Sequence, residues 1–221
     1  MRPSLLSSFQ KEVLEAFFRR EQRFFLSGGA ALAGFHLGHR PTNDLDLFTA
    51  DDLVEDGERA VAIAAADLGA TLQKVHTTPD FRRRILRRGG EAVVVDLIRD
   101  RVPQGPLPKL QVGNIQVDTA EEILANKLCT LLSRSELRDL VDVFTLERAG
   151  FRVDEALPLA ALKDGSLSPA QLAWVLSQVD LTDRPEEPVL RDAPHGPTRG
   201  ELGSFVGALE KRLLARALPT E

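Results

Sequence analysis

"RFFLSGGAALAGFHLGHRPTNDLDLFT" occupies residues 23–49, and the order of its parts decides the fold. "RFFLS" (23–27) reads as a short strand that stops at Gly28-Gly29. Ala30 to Leu37 favour helix, and Pro41 in "HRPTN" then forces a break, because proline cannot supply the helical hydrogen bond. "DLDLFT" (44–49) alternates with period two, the mark of a half-buried strand. Side chains two apart on a strand share a face, so Asp44 and Asp46 project together while Leu45 and Leu47 pack behind them. Neighbouring carboxylates repel unless a cation sits between them, and hard oxygen donors suit Mg²⁺ or Mn²⁺. The plain alternative is a strand end with two solvated aspartates, which the DxD by itself does not exclude. Strand, Gly-Gly, helix is also an arrangement in which backbone amides can face an anion. The missing Cβ of Gly28 and Gly29 would let a phosphate approach closely, with the Ser27 hydroxyl beside it. A tight turn that binds nothing uses the same residues.

Working outward, residues 52–68 form an Ala-rich helix ending near Gly69, and "TLQKVHT" (71–77) is a strand candidate. "FRRRILRR" (81–88) and "EAVVVDLI" (91–98) flank Gly89-Gly90. A two-residue Gly-Gly loop predicts a hairpin, since both positions can take positive φ. Counting back from that loop puts Arg88 opposite Glu91 and Arg83 opposite Asp96. Asp96 lies within a run of apolar strand formers, where an unpaired charge is costly. Two readings stay open: Arg83 neutralises Asp96 as a structural pair, or Asp96 is a third metal ligand with Arg83 near it for a phosphate. Arg82, Arg83, Arg84, Arg87 and Arg88 crowd this strand and must divide between its faces. They predict a solvated edge strand guarded by charge, or one side of a groove for an RNA end or another phosphate-bearing acceptor. "VPQGPLP" (102–108) is an irregular connection, and "KLQVGNIQV" (109–117) reads as a further hairpin.

After Asp118 the pattern turns helical. Thr119 and Glu122 have capping-box spacing and open a helix over 120–132. Helices over 136–148, 153–163 and 169–179 follow, the last with Ser168 and Pro169 at its start. If the helix over 120–132 runs on, Lys127, Arg134 and Arg138 lie close to one face. Asp142, four beyond Arg138, then allows an i,i+4 pair. "DRPEEPVLRDAPHGPTRG" (183–200) is a Pro-rich linker, and 201–216 is a final amphipathic helix. Another amphipathic helix spans 8–20, with Phe9, Val13, Leu14 and Phe17 on one face. The chain thus reads as an α/β core over 1–118, a helical domain over 119–182, the linker 183–200 and a C-terminal helix within 201–221.

At 221 residues the chain can bury one sizeable core or two small ones. Its 43% hydrophobic and 28% charged residues are a globular composition. A net charge of −5 argues against coating nucleic acid by bulk charge and leaves only local basic patches for that purpose. Arginine outnumbers lysine by 22 to 6, which reads as codon bias. Cys129 is the only cysteine, so the chain can build neither an internal disulfide nor a cysteine zinc site. His36, His39, His76 and His195 show no metal-ligand spacing. There is no signal-type apolar region and no apolar run near the roughly 18 residues that span a bilayer. A cytoplasmic protein with no membrane partner is the expectation.

"LSGGAALAGFHLGHRPTNDLDLF" (26–48), taken with Asp96 and with "NKLCTLLSRSELRDLVDVFTL" (126–146), resembles the AbiEii/AbiGii-type nucleotidyltransferase toxin family of the polymerase-beta-like nucleotidyltransferase superfamily. The likeness covers roughly residues 24–148. The superfamily pattern is a Gly-Ser or Gly-Gly pair, a short helix, a DxD on the following strand and a third carboxylate on a neighbouring strand. Asp44, Asp46 and Asp96 match it in order. The resemblance implies an α+β fold, with a polymerase-beta-like core of short mixed sheet and flanking helices followed by a helical C-terminal half. It implies an enzyme that transfers NMP from an NTP to an acceptor hydroxyl and releases pyrophosphate. Asp44, Asp46 and Asp96 would then hold Mg²⁺ or Mn²⁺, while Ser27, Gly28, Gly29, Arg40 and Lys127 would hold the NTP.

Arg83, Arg134 and Arg138 would contact the acceptor or its phosphates. The acceptor so implied is a tRNA 3′ end, and the implied partner is a cognate antitoxin protein. Two departures bear on these roles. Ala30 follows the glycines where many members have Ser or Thr, and the "GHR" of this branch lengthens the path to Asp44. His39 and Arg40 could face the phosphates, or Arg40 could brace the Asp44 loop, the reading preferred here. Two rivals share the motifs. A small-molecule, aminoglycoside-type transferase would need an acidic acceptor pocket. A nucleotide-binding partner module without turnover would have no need of all three aspartates.

Overall fold

The computed structural model describes residues 4–134, 136–179, 181 and 196–218. Its strands are β1 (Phe25–Ser27), β2 (Asp44–Thr49), β3 (Thr71–Thr77), β4 (Phe81–Arg88), β5 (Glu91–Arg99), β6 (Leu110–Val112) and β7 (Ile115–Val117), and they form one sheet ordered β3-β4-β5-β2-β1-β7-β6. The helices are α1 (Ser8–Phe18), α2 (Gly28–Ala31, running on as a π turn over Leu32–His36), α3 (Val54–Asp67), α4 (Ala120–Arg134), α5 (Leu137–Arg148), α6 (Val153–Lys163), α7 (Pro169–Ser177) and α8 (Arg199–Ala217). The chain divides into two compact units, Met1–Val102 with Leu107–Thr119, and Pro103–Pro106 with Ala120–Glu221.

The first unit contains the whole sheet. Gly89 and Gly90 take φ of 54° and 90°, and the resulting turn sets β4 antiparallel to β5 with Arg88 opposite Glu91 and Arg83 opposite Asp96. β2 pairs with β5 in parallel and with β1 in antiparallel register, so the sheet is mixed. Alternation then sorts the side chains. Leu26, Leu45, Leu47, Leu86, Val93, Val95 and Leu97 are buried on one face. Against that face pack α1, capped by Ser7 and Gln10 in a capping box, and α3. The ring of Phe17 meets that of Phe24 edge-on at 5.5 Å. Each fully buried Leu or Phe contributes about 1.5–3 kcal/mol.

The arginine-rich strand is not an edge. β4 lies between β3 and β5, and two of its arginines are driven inward by the pleat. Arg84 is 1% exposed. Its guanidinium pairs with Glu58 of α3 and donates to the carbonyls of His76 at 2.8 Å and Arg83 at 2.9 Å. Arg82 reaches the same carboxylate at 3.3 Å. Such burial is tolerated because the charge is matched and its donors are used.

In the second unit, α4 packs against α5, α6 and α7, and α7 against α8. A buried Glu122–Lys163 ion pair joins α4 to α6, and the Gly105 amide donates to Glu122 at 2.7 Å. The helix at 120 does not run on: α4 ends at Arg134 and α5 starts at Leu137. The expectation of Lys127, Arg134 and Arg138 on one continuous face therefore fails. Arg138 pairs with Glu136 at 2.6 Å, and Asp142 with Lys127, in place of the i,i+4 pair. Of the expected linker, residues 183–195 lie outside the described residues; α8 begins at Arg199 behind a Thr198/Glu201 capping box.

Candidate active site

One rung of the sheet carries the chemistry. Directly paired residues across five adjacent strands are His76, Arg83, Asp96, Asp46 and Ser27. Paired residues present their side chains to the same face, the face opposite Leu45 and Leu47. Asp44 lies on that face too, one step back along β2 and across from Val94.

Asp96 is 3% exposed. It accepts two hydrogen bonds from Arg83, from Nε at 2.8 Å and Nη2 at 2.6 Å, a bidentate pair. The hydrogen bond to Asp96 raises the Arg83 pKa against the opposing cost of burial. The charges of Asp96, Asp44 and Asp46 add to that rise. One guanidinium therefore feels all three carboxylates.

The Gly-Gly turn closes the other side of Asp46. Gly28 has φ of 63°, and a Cβ there would collide with Asp46 Oδ2. A Cβ on Gly29 would lie 3.1 Å from Arg40 Nη2 and 3.3 Å from Thr42 Oγ1. The Thr42 hydroxyl donates to Asp44 Oδ1. Arg40 donates to the Pro41 carbonyl at 3.2 Å, and Gln10 of α1 donates to the Thr42 carbonyl at 2.9 Å. Arg40 is 6% exposed, and with Thr42 and Gln10 it braces the segment that delivers Asp44.

Ser27, opposite Asp46 on the rung, also has a partner of its own. Its hydroxyl donates to the fully buried Asp118 at 2.7 Å. Asp118 also takes Lys109 Nζ at 2.6 Å and the Thr119 amide at 3.0 Å, while its carbonyl meets His36 Nε2 at 2.8 Å. Thr42, Gln10, Asp118 and Lys109 escaped the sequence reading. Thr42 had a local signal, a hydroxyl two residues before the first aspartate. Asp118 had none, because its partner lies 91 positions away.

A family model described as "Nucleotidyl transferase AbiEii toxin, Type IV TA system" matches residues 12–211. The chain belongs to the AbiEii nucleotidyltransferase toxin family. No curated protein sequence matches it. Among solved structures, JHP933 from Helicobacter pylori is 20% identical, with 96% of each chain covered and a TM-score of 0.60. A second H. pylori protein, proposed as a nucleotidyltransferase, is also 20% identical, with 97% of this chain and all of that one covered and a TM-score of 0.61. At that identity the likeness shows the fold, the α+β nucleotidyltransferase core with its helical half.

The donor chemistry of this AbiEii-family chain fits a hard divalent ion, since Asp44, Asp46 and Asp96 offer only carboxylate oxygens. Among the described residues, however, no three His, Cys, Asp or Glu groups converge as a finished metal cage. Both oxygens of the third carboxylate, Asp96, are turned to the Arg83 guanidinium.

In the helical unit, Lys127 Nζ lies 2.7 Å from both Asp139 and Asp142, and both aspartates are fully buried. Arg134 adds a contact to Asp139 at 3.0 Å. This neutral network occupies the joint between α4 and α5. No helix among the described residues is long and apolar enough to cross a membrane.

Proposed function

We propose that this AbiEii-family toxin is a metal-dependent nucleotidyltransferase that moves NMP from an NTP to an acceptor hydroxyl. The family likeness suggests a tRNA 3′ end as acceptor and a cognate antitoxin protein as partner. The observation that carries the proposal is the shared rung: Asp46 directly opposite Asp96, with Asp44 on the same face and the Gly28-Gly29 turn against Asp46.

Asp44 and Asp46 would hold Mg²⁺ or Mn²⁺, and Asp96 would join them on release from Arg83. When bound, the ion supplies charge neutralisation at the α-phosphate and favours ionisation of the acceptor hydroxyl. Gly28 and Gly29 would let the triphosphate lie against bare backbone. Thr42, Arg40 and Gln10 would keep Asp44 in place as charge accumulates. The acceptor hydroxyl would lose its proton to solvent, its oxygen would attack the α-phosphorus, the bond to the bridging oxygen would break, and pyrophosphate would leave. Assignment of Lys127 to the triphosphate rests on the resemblance of its motif; its partners within the helical unit are Asp139 and Asp142. The exposed Arg83, Arg87 and His76 on the open face of β3 and β4 favour a phosphate-bearing acceptor over a polycationic aminoglycoside.

The test incubates the purified protein with each labelled NTP, Mg²⁺ and total RNA. Label should enter an RNA acceptor, and Asp46→Asn should reduce transfer by at least about two orders of magnitude with the fold intact by circular dichroism. Undiminished transfer by Asp46→Asn would remove the metal role.

A further inference from the structure

We infer that His76, Phe81 and Arg83 form a stacking platform for the terminal base of a single-stranded nucleic-acid acceptor. The inference rests on the transferase reading above and names the acceptor class it serves. His76 is paired directly with Arg83, and Phe81 precedes Arg83 by two on the same face. The imidazole and phenyl centroids are 5.8 Å apart with planes inclined at 50°. The Arg83 guanidinium carbon lies 5.8 Å from the Phe81 ring centroid. Three planar groups thus gather on two strands next to the third carboxylate. His76 is exposed, Phe81 is half-buried, and the Arg83 side chain is 45% exposed.

The row beside the acidic rung shows why this end is open. Phe81 pairs with Ile98, Ile98 with Phe48, and Phe48 with Phe25. Phe25 and Phe48 stack at 5.9 Å, Phe25 is 7% exposed, and the Lys109 ammonium caps its ring at 4.0 Å. The inner end of the aromatic row is therefore closed within its own unit, while Phe48, Ile98 and Phe81 stay half-buried.

Position on the rung selects the ligand. The glycine turn lies against Asp46, and the platform lies on the far side of Asp96. An in-line displacement brings the attacking oxygen from the side opposite the leaving pyrophosphate. With the triphosphate at the glycine turn, the acceptor arrives over Asp96 and Arg83. Neighbouring strands are about 4.8 Å apart, so β4 is one nucleoside's reach from Asp96. Unpaired bases stack on aromatic rings, imidazoles and guanidinium planes alike. An aminoglycoside has no π face, and its positive charges would meet Arg83 and Arg87.

The experiment titrates the full-length protein, without NTP, into a short single-stranded RNA carrying 2-aminopurine at its 3′ end. Binding should quench the fluorophore. Phe81→Leu should abolish the quench and weaken binding about tenfold, and Phe81→Trp should restore both. The same RNA with an abasic 3′ end should bind the wild type as weakly as intact RNA binds Phe81→Leu. His76→Ala, at an exposed site, should weaken binding severalfold and covers the case in which Phe81→Leu does not fold. Wild-type quenching by Phe81→Leu, or equal affinity for abasic and intact ends, overturns the platform. Quenching that depends on Phe81, in a protein that transfers no label in the NTP assay, sinks the transferase reading and leaves the platform standing. Transfer to RNA with binding indifferent to Phe81 does the reverse.

Discussion

Gly28 is subject to two constraints that add. Its φ of 63° is costly for any residue with a Cβ, by about 1–2 kcal/mol. Its Cα also faces Asp46 Oδ2 with no room for another carbon. Gly28→Ala should therefore lower unfolding free energy by at least about 1–2 kcal/mol, the backbone part alone, and push the Asp46 carboxylate off its place. Urea unfolding reads the first effect and Mn²⁺ titration followed by electron paramagnetic resonance the second. A variant matching the wild type in both would show that the turn and the carboxylate do not touch. Arg83 raises a related issue at the same scale. It satisfies a carboxylate only 3% exposed, which would be costly to bury alone. The two sequence readings of Asp96 are thus compatible: the arginine holds the charge that the proposed chemistry would later use.

At the scale of elements, the joint between α4 and α5 is the clearest case of charge used for structure. Lys127, which touches both Asp139 and Asp142, and Arg134, which touches Asp139, together balance the two fully buried aspartates. Lys127→Met leaves two buried carboxylates with one matched cation removed, a loss of about 3–5 kcal/mol. For a chain of this size that corresponds to a fall in Tm on the order of 10 °C. Differential scanning calorimetry should show it, and a Tm within a degree or two of wild type would mean that the network contributes little. Activity lost in a Lys127 variant is informative about the triphosphate only when the fold has survived. The β4–α3 contact follows the same logic: Arg84 is buried because Glu58 is under it.

At the scale of the whole molecule, several carboxyls have their titration displaced in one direction. The Arg88 hydrogen bond holds Glu12 below the ordinary glutamate value of 4.5, and the Arg23 hydrogen bond does the same for Glu21. Burial pushes Glu58 up, but the hydrogen bond and charge of Arg84, with Lys74, bring it below the same value. A folded pKa below the unfolded one contributes stability above the unfolded pKa, and that stability is lost as pH falls through the folded value. Thermal unfolding should hit a plateau above about pH 5 and decline steadily below about pH 4.5. A profile flat from pH 7 to pH 3 would show that these pairs do not couple to folding.

Much of the fold was legible locally. β2, β3, β4 and β5 begin and end within a residue of expectation, because alternation, Gly89-Gly90 and Pro41 act over a few residues. The hairpin register placed Arg83 opposite Asp96 by counting, since a two-residue turn leaves no freedom. The sharing of a face by Asp44 and Asp46 followed from strand geometry alone. Tertiary structure decided the rest. Asp46 faces Asp96 through a parallel pairing, whose register no turn transmits and only packing of the intervening chain can set. His76 joins the rung through a strand whose register shifts between Lys74 and His76, which counting from the turn would miss. Ser27 on Asp118, Glu58 beneath Arg84, and Lys127 between two aspartates pair groups far apart in sequence or across a helix break. Their partners are chosen by which buried charges must be matched once the apolar faces have met, and that choice belongs to the folded chain as a whole.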